Sequence, residues 1–316
     1  MTLPHWQTSA PLSALRQRAA LYQQIREFFY KRQVLEVEVP VLSPYATIDP
    51  FIDSLQTSVI GQARYLQTSP EFFLKRCLAT YPEQDIYSLG KAFRQGEKGV
   101  RHQPEFTMLE WYRIGWTEQL LIDEVVSLLQ VCIDVSSTYR LSYSELFIEH
   151  VQLNPHTATR DQLKQRTHAM IDTSFDASDK NPWLDLLFTH CIEPRLPAGV
   201  VTIYDYPASQ AALARIDIDA NGHSVAKRFE VYVDGMELAN GYWELKDADE
   251  QEARFKADQY YRQQHNLPQL PYDQLLLEAM REGQFPDCAG VALGVDRLLM
   301  CMMNEKAIDR VVAFGQ

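Results

Sequence analysis

Three short stretches hold residues that could do chemistry together. In FRQGEKGVRHQPEFTMLEWYR, residues 93–113, side chains of a strand alternate between faces, so Phe106, Met108, Glu110 and Tyr112 share one face. A carboxylate and a phenol therefore point the same way as an aromatic ring. Arg94 stands at the mouth of the preceding loop, and Arg101 and His102 lie within it. Guanidinium forks converging there suit a phosphate or a carboxylate. A solvated surface hairpin would carry similar residues.

The second stretch, FEVYVDGMELANGYWEL, reads as a hairpin whose two-residue turn is Asp234-Gly235, with a bend or bulge at Asn240-Gly241. That turn sets Tyr232 opposite Glu237 and Glu230 opposite Ala239, which makes Glu230 and Glu237 diagonal neighbours on one face. Two carboxylates so close repel unless a cation lies between them, and Mg²⁺ held by one or two carboxylates plus substrate phosphates is a natural occupant. In open solvent the repulsion would be mild. The third stretch, GVALGVDR, has Gly290 and Gly294 for close backbone approach and Arg297 at the start of the following helix; such a turn also serves tight packing alone.

These stretches need elements to hold them. From Leu12 to about Arg32, apolar residues at Leu15, Ala19, Tyr22, Ile25 and Phe29 recur at helical spacing, and residues 34–39 alternate as a half-buried strand stopped near Pro40. Thr68-Ser69-Pro70-Glu71 reads as a helix start with proline at the first helical position. Strands are expected at 86–94 and 105–114, and helices at 117–133 and 249–265. Residues 134–200 hold mixed helical patterns broken at Pro182, Pro194 and Pro197, and carry little chemical signal. One domain with a helical insertion at about 134–200 is the expected organisation.

Bulk properties narrow the function. At 316 residues with 46% hydrophobic content the chain has room for a sizeable core. A formal net charge of −12 opposes a broad grip on phosphate backbones. Five scattered cysteines form no C-x-x-C pair and eight histidines no H-E-x-x-H, so neither a disulfide framework nor a transition-metal site is expected. No stretch has the roughly 18 apolar residues that span a bilayer, and the first residues lack the order of a secretory signal, so a cytoplasmic protein is expected, with no membrane partner.

Taken in order, the segments resemble the three signature motifs of class II aminoacyl-tRNA synthetases, most closely lysyl-tRNA synthetases. The helix and strand ending at Pro40 resemble motif 1, AFRQGEKGVRHQPEFTMLEWY motif 2, and GVALGVDRL motif 3, over most of residues 12 to 314. The resemblance implies an α+β fold, mainly an antiparallel sheet flanked by helices, and a homodimer by family analogy. Lysyl-tRNA synthetases carry an N-terminal anticodon-binding barrel, whereas here the catalytic pattern begins near Leu12. This architecture is similar to the family that attaches (R)-β-lysine or lysine to a lysine side chain of elongation factor P, and HQPEFTMLEWYR, YPASQAALA and PDCAGVALGVDRL follow that family. It implies ATP and Mg²⁺ as cofactors, elongation factor P as partner, and tRNA as an unlikely one.

Carried over residue by residue, the resemblance makes Arg94 the arginine at the ATP α-phosphate and substrate carboxylate, and Arg297 its counterpart at the γ-phosphate. Glu230 and Glu237 match Mg²⁺-binding acids. Gln95, Gly96, Glu97, His102, Gln103, Phe106, Glu237, Leu238 and Gly294 fall in the nucleotide set. Ser69, Pro70 and Glu71 match the segment that recognises the substrate amino group, Tyr112 and Glu244 match the groups around the side-chain ammonium, Glu110 adds a further negative group, and Asn240 falls in the substrate set. There are departures. The usual Arg-x-Glu of motif 2 is here Arg94-Gln95-Gly96, for which Glu97 supplies the carboxylate if Gly96 lets the loop shift. Gln103 stands where Asn is usual. Ala292 stands where the tRNA enzymes have Gly, and its methyl group favours an altered substrate such as a β-amino acid.

Overall fold

The computed structural model describes residues 6–282 and 285–315. It opens with helix α1 (Leu12–Tyr30), followed by short strands β1 (Leu35–Glu36) and β2 (Leu42–Ser43), the hairpin β3 (Gln56–Val59) and β4 (Gln62–Leu66), and helix α2 (Glu71–Thr80). Strands β5 (Ile86–Phe93) and β6 (Glu105–Ile114) lead to α3 (Glu118–Cys132), β7 (Thr138–Ser142), and helices α4 (Tyr143–Val151), α5 (Arg160–Met170) and α6 (Asn181–Leu187). Next come β8 (Val200–Pro207), β9 (Ile216–Ile218), β10 (Ser224–Val233) and β11 (Met236–Trp243), then α7 (Ala248–Gln264), α8 (Gln274–Arg281), β12 (Cys288–Gly294) and α9 (Val295–Met303).

Nine strands form one sheet in the order β1-β5-β6-β12-β11-β10-β8-β7, with β9 also paired to β10; β2, β4 and β3 form a small second sheet. Only the outer pairs β1–β5 and β7–β8 are parallel. Side-chain alternation divides the large sheet into two chemistries. Leu109 and Trp111 of β6, Phe229, Val231 and Val233 of β10, and Ala289, Val291 and Leu293 of β12 enter a dry core with α1, α3 and α9. Each large apolar side chain buried there contributes about 1.5–3 kcal/mol. Their even-numbered neighbours on the opposite face include Glu110, Tyr112, Glu230, Gly290 and Ala292. That face is flanked by the α4–α6 cluster on one side and the α2, α7, α8 cluster on the other.

Several expectations shift by a residue or a register. The buried stripe of α1 is Ala14, Leu21, Ile25, Phe28 and Phe29, while Ala19 is exposed. Phe29 stacks on Tyr87 and meets Trp111 edge-on, so the sheet selects the face. The expected strand at 34–39 pairs with β5 only over Leu35 and Glu36. Helix α2 begins at Glu71, with Pro70 as its cap and Glu71 N–H donating to Ser69 Oγ. The segment 134–200 contains a strand, β7, and Pro182 opens α6 instead of breaking a helix.

The β10–β11 hairpin keeps Tyr232 opposite Glu237, but a bulge between Val231 and Tyr232 then places Val231 opposite Ala239 and Glu230 opposite Asn240. The irregularity thus falls at Leu238 and not at Asn240-Gly241. Gly241 has another role: a methyl group there would overlap the Phe229 ring. Asp234 and Gly235 both have positive φ, as a two-residue turn between right-twisted strands requires.

Candidate active site

A cavity of about 290 Å³ opens on the polar face of the sheet, between β6, β12 and β11 below and α2, α7 and the loop after β5 around it. Its lining includes Ser69, Glu71, Arg94, Glu97, His102, Gln103, Phe106, Glu110, Tyr112, Glu237, Leu238, Asn240, Glu244, Ala292, Gly294 and Arg297. Four predicted residues, Pro70, Gln95, Gly96 and Glu230, are not in the wall. Pro70 caps α2 through its backbone. Gln95 uses its N–H on the Asp53 carbonyl, and Gly96 takes a positive φ that lets the loop turn. Glu230 stands beside the cavity, opposite Asn240, with its carboxylate accepting from Arg228 and the Tyr232 hydroxyl.

One end of the cavity is cationic. Arg94 follows β5 directly. Its Nε donates to the Thr68 carbonyl, its Nη1 to Glu97 at 3.2 Å, and its guanidinium carbon lies 5.2 Å from the centre of the Phe106 ring. Glu97 thus lies against Arg94, across the turn that Gly96 permits. Gln103 is buried and donates its amide to Asp309. Strand β12 runs straight into α9, which puts Arg297 in the first helical turn; there it donates to the Glu237 carbonyl at 2.8 Å and lies 3.5 Å from its carboxylate. Its other nitrogen meets His102 Nε2 at 2.5 Å. Because Arg297 can only donate, His102 accepts there as a neutral ring protonated on Nδ1. Burial and the Arg297 charge both lower the His102 pKa, in agreement. Behind this end, buried Asp296 accepts from Arg18 and from the Thr107 backbone, bracing α9 against α1 and β6.

Burial and the neighbouring Glu230 raise Glu237 to about 7, despite opposition from Arg297. The Glu237 side chain is 43% open to cavity water, so this shift adds little to a stability argument. Glu237 is free to face a cation, whereas both Glu230 oxygens are engaged by protein groups. Among the described residues no cluster of three or more His, Cys, Asp or Glu side chains is placed to hold a metal ion. The donor set fits Mg²⁺ bound through Glu237 and substrate phosphates, and not an all-protein cage.

The other end is a dry acidic floor. Tyr112 donates to Glu110 at 2.7 Å, and Lys75 Nζ lies 2.7 Å from both Glu71 and Glu244. Glu110, Tyr112, Lys75 and Glu244 are all buried. Burial, reinforced by Glu71, raises Glu110 well above the ordinary carboxylate range. Glu244 rises to about 7, again through burial first, with Lys75 pulling it down and Glu71 pushing it up. Glu110 Oε2 and Asn240 Oδ1 are buried acceptors with no hydrogen-bond partner. Such orphans are costly unless a donor arrives. Gly290, directly opposite Tyr112, keeps room for this group: a methyl there would overlap the Tyr112 ring and the Glu244 carboxylate.

Lys75 was not foreseen from the sequence, although its position four residues after Glu71 on one helix is the spacing of an ion pair. Tyr242, Arg254 and Asp258 also line the cavity and carry no sequence signal of their own.

A family model described as tRNA synthetases class II (D, K and N) matches residues 5–316. The chain belongs to that family. Among its curated relatives is an elongation factor P–(R)-β-lysine ligase of Yersinia enterocolitica, 45% identical over 98% of this chain and 97% of the relative. Another of the same name, from Vibrio cholerae, is 45% identical over 99% of this chain and 98% of the relative. A third, from Yersinia pestis, is 44% identical over 98% and 97%. In this class II synthetase domain the segments expected to be motifs 2 and 3 are β5–β6 with their loop and β12–α9, and they meet as neighbours at the centre of the sheet. The antiparallel sheet with flanking helices is the α+β architecture expected of the family.

Proposed function

We propose that the chain uses ATP to activate (R)-β-lysine, or lysine, as an adenylate and transfers it to a lysine side chain of elongation factor P. The observation that carries this is the pairing, in one cavity, of arginines at one end with a buried floor of excess carboxylate at the other. An ammonium entering the floor meets Glu110, Glu244, Tyr112 and the unpartnered Asn240 carbonyl, which offset its lost hydration. Ser69 and Glu71, at the start of α2, are assigned to the second amino group.

The amino-acid carboxylate attacks the α-phosphorus of ATP, forming the mixed anhydride as pyrophosphate leaves. Arg94 and Arg297 neutralise the charge that develops, and Phe106 offers the adenine a ring face. Mg²⁺ held at Glu237 would supply further charge neutralisation on the phosphates. The acceptor amine then attacks the acyl carbon, an amide forms, AMP departs, and no protein nucleophile is needed. Similarity to three relatives named for this activity supports the reading. Action on a translation factor places the enzyme in the cytoplasm; no helix among the described residues is long and apolar enough to cross a membrane. We read the chain as one catalytic domain with an insertion at about 134–200, acting as a homodimer.

The test is pyrophosphate exchange with (R)-β-lysine and with α-lysine, followed by incubation of labelled amino acid, ATP, elongation factor P and bulk tRNA. Label in elongation factor P is expected. Label in tRNA alone, or no exchange with any lysine isomer, overturns the proposal.

A further inference from the structure

The floor contains a cation that the proposed chemistry does not use. Lys75 projects from α2 into the end of the cavity that receives the substrate ammonium, and its side chain is only 3% exposed. Such a group is expensive to bury unless its charge is matched. Here it is matched twice, by Glu71 one turn earlier on α2 and by Glu244 just past the end of β11, each at 2.7 Å. The charged and titratable groups facing it are Glu71, Glu244, Glu110, Tyr112, Tyr242 and Cys288. The first three are carboxylates from separate segments of the chain, and none of the six is a cation.

Resting on the proposed activity, we infer that Lys75 is a positioning residue whose ammonium holds the Glu71 and Glu244 carboxylates as one unit spanning the two amino-recognition positions. Glu71 and Glu244 lie on different elements and would repel if left alone. The ammonium between them fixes their separation, so that each presents its remaining lone pairs to the substrate. Burial opposes the charge on Lys75, but Glu244 and Glu71 outweigh it and raise its pKa, so Lys75 itself stays charged. The substrate then meets a preformed site, which lowers the cost of ordering on binding.

The test is Lys75→Met in pyrophosphate exchange, with the unaltered chain beside it. The KM for the amino acid is expected to rise about a hundredfold, the scale of breaking a buried ion pair, while the KM for ATP moves less than about threefold. Without the ammonium, Glu244 loses the charge that opposes its raised pKa and holds its proton more tightly. The acid limb of kcat/KM for the amino acid therefore moves to higher pH by about one unit. Lys75→Arg keeps the charge with different geometry; it is expected to raise the amino-acid KM with the acid limb unmoved, and it serves where the methionine variant does not fold. An unchanged amino-acid KM and acid limb in folded Lys75→Met, or a moved limb in Lys75→Arg, overturns the inference while leaving the activation chemistry intact. Absence of exchange in the unaltered chain overturns the proposed function first, and this inference with it.

Discussion

At the mouth of the cavity Arg94 and Glu97 keep about a quarter to a third of their side-chain surface in solvent, and Arg297 about a fifth. At the floor Lys75 and Glu244 keep 3% and 1%. The two ends therefore handle charge differently. Near water an unmatched guanidinium costs little and can wait for a triphosphate. In the dry floor a 4 Å interaction is worth several-fold more than in water, so each charge must be answered within the protein or given up to a proton. At the floor burial raises Glu110 and Glu244, with Glu71 adding to it, while at the mouth Glu237 is raised by burial and Glu230 with Arg297 opposing. The difference also suggests where selectivity resides: a floor built before the ligand arrives discriminates more sharply than a mouth that organises around it.

The comparison can be broken most directly at the mouth. Arg94→Ala is expected to reduce pyrophosphate exchange about a thousandfold or more, the scale of removing a group that stabilises charge in the transition state. Exchange within tenfold of normal would show that the open end does not hold the reacting phosphate. At the floor, Glu244→Gln is expected to lower kcat/KM for (R)-β-lysine about a hundredfold, with little change in the KM for ATP, since it leaves Lys75 with only Glu71. Equal losses for both substrates would mean that the two ends are not independent.

A smaller effect comes from pH. Glu244 has a folded pKa of about 7 against 4.5 when unfolded, so the folded chain retains a proton that the unfolded chain has released in between. Its contribution to stability is greatest below 4.5 and declines as pH rises through 7. The melting temperature of the ligand-free chain should fall by a few degrees between pH 5.5 and 7.5, since about 1 kcal/mol moves a large domain by roughly 2–4 °C. Saturating (R)-β-lysine should shrink that fall, because the ammonium favours the ionised floor. A ligand-free melting temperature that rises over this range would contradict the assignment. The smallest change is expected from Ala292→Gly, which removes one methyl group from the wall beside Glu110. The ratio of kcat/KM for (R)-β-lysine over α-lysine should fall by less than about tenfold, and a rise would mean that the methyl group does not favour the β-amino acid.

Much of this site was legible in the chain's residues because strand alternation is strict. Phe106, Glu110 and Tyr112 needed only a period of two to share a face, and Asp234-Gly235 needed only turn chemistry to pair Tyr232 with Glu237. What escaped depended on packing between distant segments. The bulge that skips Leu238 moved Glu230 to Asn240, and no local residue type announces it. The sequence pairs Glu230 with Glu237 as Mg²⁺-binding acids, but Arg228 and Tyr232, each two residues away on the same strand face, engage both Glu230 oxygens. Lys75 looked like any lysine on an amphipathic helix, and its burial depends on Glu244, 169 positions later. The face of α1 is legible only in part for the same reason: Ile25 and Phe29 are buried as the spacing predicts, but Ala19 is exposed, because contacts with Tyr87 and Trp111 fix the face.

The order of strands has a consequence for synthesis. The strand β12 lies between β6 and β11 at the middle of the sheet, yet among the described residues it is the last strand in chain order. While the earlier segments emerge from the ribosome, β6 and β11 each expose an unpaired edge, and Arg297 does not yet exist. Nascent chains therefore cannot assemble the Arg94–Arg297 end of the cavity ahead of time, and the two edges stay open to wrong partners until the final insertion closes them. Catalytic competence would then arrive in one late step, as the product of long-range closure and not of gradual accretion.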